Sequence, residues 1–128
     1  MEKRFDEWNK LKKFTHSQEK TVLYCKREIW WLILGVNVGY EQDGTGHDFE
    51  RPVLVLKGFS RFACLVVPLT TSRKKNKYHV DIGTIDGKRA CVIISQIRLV
   101  DTRRFVNKLC TLDEGTFGHV VTAIKTMF

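Results

Sequence analysis

The chain has 128 residues, 43% of them hydrophobic, which suits one domain with a real core. Its 22 Lys and Arg outweigh 14 Asp and Glu to leave a net charge of +8, which favours a polyanionic partner, nucleic acid before an anionic membrane. No apolar run approaches membrane-spanning length and MEKRFDEWNK holds no apolar signal region, so a cytoplasmic protein without membrane contact is expected.

Phe5, Trp8 and Leu11 recur at helical spacing in a lysine-rich stretch and predict a short amphipathic N-terminal helix. Residues 15–20, THSQEK, read as a linker, so residues 1–20 form an extension and residues 21–128 the main domain. EIWWLILG, residues 28–35, predicts a strand, and Trp30 and Trp31 point to its opposite faces. One of the two indoles enters the core; the other is placed to stack on a base or fill a subunit interface. The polar, glycine-rich stretch that follows, up to Glu50, reads as a long loop.

RPVLVLKGF, FACLVVPL, YHVDIG and RACVIISQIRLV each carry an apolar run of strand length, separated by GFSR, TSRKKNK and GTIDGK. Asp86–Lys88 supports a hairpin turn, and short strands at this spacing predict a small barrel or rolled sheet. Beyond it, Asp101 is positioned to cap a short helix through Arg103–Leu109. Thr111 and Glu114 have capping-box spacing. Phe117, Val120, Val121, Ile124 and Phe128 share one face of a C-terminal helix.

Four cysteines, Cys25, Cys64, Cys91 and Cys110, lie far apart with no CxxC, so they read as reduced thiols and not as metal ligands. No Walker A, dinucleotide fingerprint, HExxH or acyl-transfer triad is legible, and neither metal nor cofactor is expected. Arg51 stands out because Pro52 holds it extended at the start of a strand, where a fixed guanidinium can clamp a phosphate. PLTTSRKKNK adds the hydroxyls of Thr70, Thr71 and Ser72 to the cations of Arg73, Lys74, Lys75 and Lys77. No acid occurs between Arg51 and His79. His79 is a proton relay or a structural residue. Gln96 and Arg98 alternate with Ile97 and Leu99, so one face of that segment is apolar and the other reads a base, holds a phosphate or meets water.

IWWLILGVNVGYEQDG, ERPVLVLKGF, CLVVPLTTS, YHVDIG and VIISQIRLVD, in this order, resemble the MazF/PemK family of toxins over about residues 27–105. The resemblance implies a mainly β fold, a small SH3-like β-barrel with a C-terminal helix, usually homodimeric. It also implies a sequence-specific, metal-independent endoribonuclease that cleaves single-stranded RNA through the ribose 2′-hydroxyl. A cognate antitoxin would silence it, and the complex of the two would bind operator DNA. By the same resemblance Arg51 and Thr70 are catalytic, Glu41 and Gln42 belong to a loop over the groove, and Gln96 and Arg98 support it. His79 aligns with a family histidine, while Glu41, His47 and His79 are the chemically suitable acid–base groups, arginine being a poor base. The chain departs from the pattern where TGHDF lengthens the loop and Glu50 precedes Arg51. A nucleic-acid-binding regulator without cleavage, or a gyrase-inhibiting toxin of the same fold, is the competing reading.

Overall fold

The computed structural model describes residues 4–17, 22–34, 50–72 and 76–128. Helix α1 (Phe5–Ser17) is followed by strands β1 (Glu28–Ile33), β2 (Glu50–Gly58), β3 (Ala63–Thr70), β4 (His79–Ile85) and β5 (Lys88–Ile93). Then come β6 (Arg98–Asp101), β7 (Phe105–Thr111) and helix α2 (Glu114–Thr126), with single 3-10 turns at Ile94–Gln96 and Thr102–Arg104.

The strands form one antiparallel sheet in the order β4-β5-β3-β2-β1-β7. Strand β3 gives one edge to β2 and divides the other: Ala63–Val66 pairs with β6, Leu69 and Thr70 with β5. Two strands leaving one edge cannot lie in one plane, and the sheet curls into a half-barrel. Val53–Leu56 in β2 and Val66–Leu69 in β3 are buried without a break, as strands covered on both faces must be. One face holds Ile29, Leu54, Val67, Leu69 and Val92 against Phe117 and Val120 of α2. The other holds Trp30, Leu32, Val53, Val55, Val66 and Phe105. There Trp30 stacks on Phe105 with ring centroids 5.1 Å apart, and Tyr24 meets Phe105 edge-on at 5.8 Å.

The mainly β fold with a helix at each end agrees with the sequence reading, but five local expectations need correction. Helix α1 runs through Ser17 and takes up Thr15 and His16, which read as linker; the Arg103 guanidinium donates to the His16 carbonyl at 2.8 Å and secures this last turn. The helix expected over Arg103–Leu109 is only the turn Thr102–Arg104. Asp101 does cap it, accepting from the Arg103 amide at 2.8 Å. Phe105–Thr111 is instead strand β7, because pairing with β1 buries Phe105 beside Trp30. Helix α2 is capped by Asp113, which accepts from the Thr116 amide at 2.9 Å, and not by Thr111, which ends β7. Leu99 is 60% exposed while Val100 is buried, so the expected apolar face of that segment is not built; the 3-10 turn at Ile94–Gln96 resets its phase.

Phe128 is likewise 94% exposed, and Met127 packs in its place. The expected hairpin is confirmed: Asp86 and Gly87 have φ of +51° and +78°, the left-handed pair that a two-residue turn demands.

One buried polar group ties β1 to β7. Glu28 accepts from the Cys25 amide at 2.7 Å and the Trp30 indole at 3.1 Å, and Lys108 of β7 lies 2.9 Å away. Burial raises its carboxyl pKa, but the Lys108 contact and these hydrogen bonds outweigh it and hold the group below its usual range.

Two outcomes follow from this packing. Phe105→Ala removes a fully buried ring and is expected to cost roughly 3–5 kcal/mol, read as a shift of the urea midpoint. A carboxyl with a lowered folded pKa contributes stability above its unfolded pKa of about 4.3 and loses it as pH falls through the folded value. Glu28→Gln should therefore lower stability at neutral pH and flatten the acid limb of the stability curve; an unaltered limb would remove Glu28 from the acid transition.

Candidate active site

The register of β2 against β3 sets the site. Val53 faces Pro68, so the first residues of β2 and the last of β3 emerge side by side. Arg51 is half-buried and donates through Nη1 to the Leu69 carbonyl at 3.1 Å, one residue before Thr70. Thr70 pairs with Cys91 of β5, and its hydroxyl accepts from the Ser72 amide at 3.1 Å, which turns the chain away from the sheet.

These residues wall a cleft of about 540 Å³. Arg51, Thr70, Thr71 and Ser72 form one side, Trp31 reaches in from β1, and Asp86 and Lys88 come from the β4–β5 hairpin. Pro52, Leu69, Ile85, Ala90 and Leu109 make the remainder apolar. A second groove of about 470 Å³ shares Thr71, Ser72, Lys88 and Ala90 and continues along β5 to the ion pair of Asp81 and Arg89. The Gly83 amide and Arg89 keep the Asp81 carboxyl below the usual carboxylate range.

The structure thus brings together Arg51, Thr70, Thr71 and Ser72 from the sequence reading, and it puts Trp31 in the cleft while Trp30 enters the core. Among the described residues it does not bring in Lys77, His79, Gln96 or Arg98. His79 opens β4 opposite Ile93 and does not line the cleft; its Nδ1 is buried without a hydrogen-bond partner among the described residues. Lys77 lies over the Tyr78 ring, 5.1 Å from its centroid. Gln96 closes a 3-10 turn and Arg98 opens β6 opposite Val66, away from the cleft wall. Glu41, Gln42, His47, Arg73, Lys74 and Lys75 lie outside the described residues.

Asp86 and Lys88 were legible only as turn residues, because the pairing of β5 with β3 that carries the hairpin to Arg51 leaves no local mark. Asp86 is the single carboxylate, and no histidine occurs, among the described residues lining the cleft. The chemistry on offer is a fixed guanidinium, an ammonium, several hydroxyls, one proton acceptor and an indole beside them. That set suits a phosphodiester with an attached base.

Among the described residues no three His, Cys, Asp or Glu side chains gather as a metal site, and no helix is long and apolar enough to cross a membrane. The four cysteines are free, and burial pushes the Cys64 thiol up to about 12.

A crystal structure of MazF from Deinococcus radiodurans is similar, with a TM-score of 0.69 and 20% identity, over 83% of this chain and 96% of that one. An endoribonuclease from a mycobacterial species has a TM-score of 0.62 and 18% identity, over 84% and 93%. A mycobacterial endoribonuclease in complex with its cognate antitoxin has a TM-score of 0.60 and 18% identity, over 81% and 93%. At these identities the likeness is one of fold. No curated protein matches the chain. The family model for the PemK-like, MazF-like toxin of type II toxin-antitoxin systems matches residues 26–128, and the chain belongs to that family.

Proposed function

We propose that this toxin is a sequence-specific, metal-independent endoribonuclease of single-stranded RNA, with residues 21–128 as the catalytic unit and residues 1–20 as an appended helical extension. The observation that carries this reading is the meeting of Arg51 and Thr70, from the neighbouring ends of β2 and β3, in one cleft. RNA supplies its own nucleophile, so the protein has to align, neutralise and move protons. The ribose 2′-oxygen attacks the adjacent phosphorus and its proton passes to a base. The bond from phosphorus to the 5′-oxygen breaks, and that oxygen takes a proton. The products are a 2′,3′-cyclic phosphate and a 5′-hydroxyl.

Arg51 faces the charge that develops on the non-bridging oxygens, a contribution of roughly 3 kcal/mol by analogy with oxyanion donors. Its bond to the Leu69 carbonyl fixes the guanidinium before substrate arrives. Thr70 donates to the same phosphate, Lys88 neutralises a neighbouring one, and Trp31 stacks on a base. Asp86 is placed to accept the 2′-hydroxyl proton. Glu41 and His47 remain candidates for acid–base work, and Gln42, Arg73, Lys74 and Lys75 for contact with the RNA. The toxin works in the cytoplasm as a homodimer, a cognate antitoxin covers the cleft, and the antitoxin complex is what reaches operator DNA. The solved antitoxin complex of a protein with this fold supports that partner.

Incubation of the toxin with a long RNA in EDTA, followed by mapping of the ends, tests the reading. Cuts at a recurring sequence with 5′-hydroxyl ends are expected. Binding without cleavage would favour the regulator instead. Arg51→Ala should slow cleavage by roughly 10²–10³ without lowering Tm appreciably; a variant as fast as the parent defeats the mechanism. Asp86→Asn keeps a residue that tolerates the left-handed backbone and removes the proton acceptor. It should lower kcat while leaving RNA affinity unchanged, and an unaltered kcat would move the base elsewhere.

A further inference from the structure

Helix α1 lies outside residues 26–128, which the family model matches, and it does more than cover the sheet. Between α1 and the turn Thr102–Arg104 runs a cleft of about 390 Å³. Lys12, Lys13, Thr15 and His16 line it from the helix, Arg103 and Arg104 from the turn. Asp101, the one carboxylate among the described residues that line it, is engaged by Arg103 through Nε at 3.0 Å and Nη2 at 2.6 Å.

Arg104 is the telling member. It is half-buried, donates one hydrogen bond to the Ile33 carbonyl at 3.1 Å, and lies over the Trp8 ring at 5.6 Å. Among the described residues no carboxylate is within ion-pair distance of it. Asp101 acts on Arg104 only from beyond ion-pair distance, so the half-buried guanidinium keeps charge that an incoming phosphate can meet. Thr15 is 7% exposed and its hydroxyl has no hydrogen-bond partner among the described residues, although buried hydroxyls nearly always have one. Two exposed lysines, a half-buried arginine with no carboxylate in ion-pair range among the described residues, and a hydroxyl without a partner among them together make a receptor for a phosphate group.

The cleft also stands next to the proposed active site. On β1, Trp31 lines the Arg51 cleft. Ile33, two residues on and on the same face, carries Trp8 and Leu11 of α1. The step between Trp31 and Ile33 is roughly 7 Å. We propose that the cleft between α1 and the Thr102–Arg104 turn is an added subsite for a backbone phosphate of the RNA, which extends the substrate path beyond Trp31. This rests on the RNA-cleaving reading and adds to it a length dependence that the Arg51 cleft alone does not have. The subsite reads phosphate and carries no base preference.

The test is binding of 2′-O-methyl RNA, which lacks the attacking hydroxyl, measured by fluorescence anisotropy over a range of salt. A 24-nucleotide and a 5-nucleotide strand are compared. Lys12→Ala/Lys13→Ala alters two exposed helix positions to the best helix former, so α1 persists. For the long strand the variant should bind several-fold more weakly and lose about 0.7 from the log–log salt slope, the share of one phosphate contact. The short strand should change much less. Lys10→Ala/Lys125→Ala removes the same charge away from the cleft and serves as control. If both double variants give the same slope for the long strand, the subsite is excluded while the RNA reading stands. If the parent protein binds neither strand, both fall.

Discussion

The divided edge of β3 is the constraint on which the molecule depends. Its first half pairs with β6 and its last two residues with β5, so the sheet must curl. The same two pairs draw the β4–β5 hairpin to the end of β3, where β2 begins. Every polar group in the Arg51 cleft is there because of that convergence. Arg51 and Thr70 come from one ladder, Asp86 and Lys88 from another, and β3 is the strand common to both.

The two adjacent tryptophans show how core and site are built from one strand. Trp30 is held by Phe105 on one side of β1 and gives its indole hydrogen to buried Glu28. Trp31, on the other side, is left at the rim of the cleft. Rigidity on the first face fixes the position of the second. The same alternation brings Ile33 out under α1 and joins the extension to the domain without altering the sheet.

Much of this could be read before any coordinates. The apolar runs of β1 to β5, the Asp86–Gly87 turn and the apolar stripe of α2 were all legible, because periodicity and turn chemistry are local. Strand β7 was not: Asn107 and Lys108 break its apolar character, and only the pairing with β1 makes it a strand. Arg51 and Thr70 were found from Pro52, from the end of an apolar run and from the family resemblance. That they meet follows from the pairing of β2 with β3 and from the bond of Arg51 to the Leu69 carbonyl, 18 residues on in the chain. The presence of Asp86 and Lys88 in the cleft, and the absence of His79, depend on pairing across β3, β4 and β5, which no local pattern encodes.

Asp86 carries two obligations at once. Its backbone is left-handed, and its side chain lines the cleft. Only glycine and asparagine share that conformational tolerance, and neither supplies a carboxylate. The position is therefore closed to gradual replacement: any exchange that keeps the acid, such as glutamate, strains the hairpin, and any that relaxes the hairpin gives up the acid.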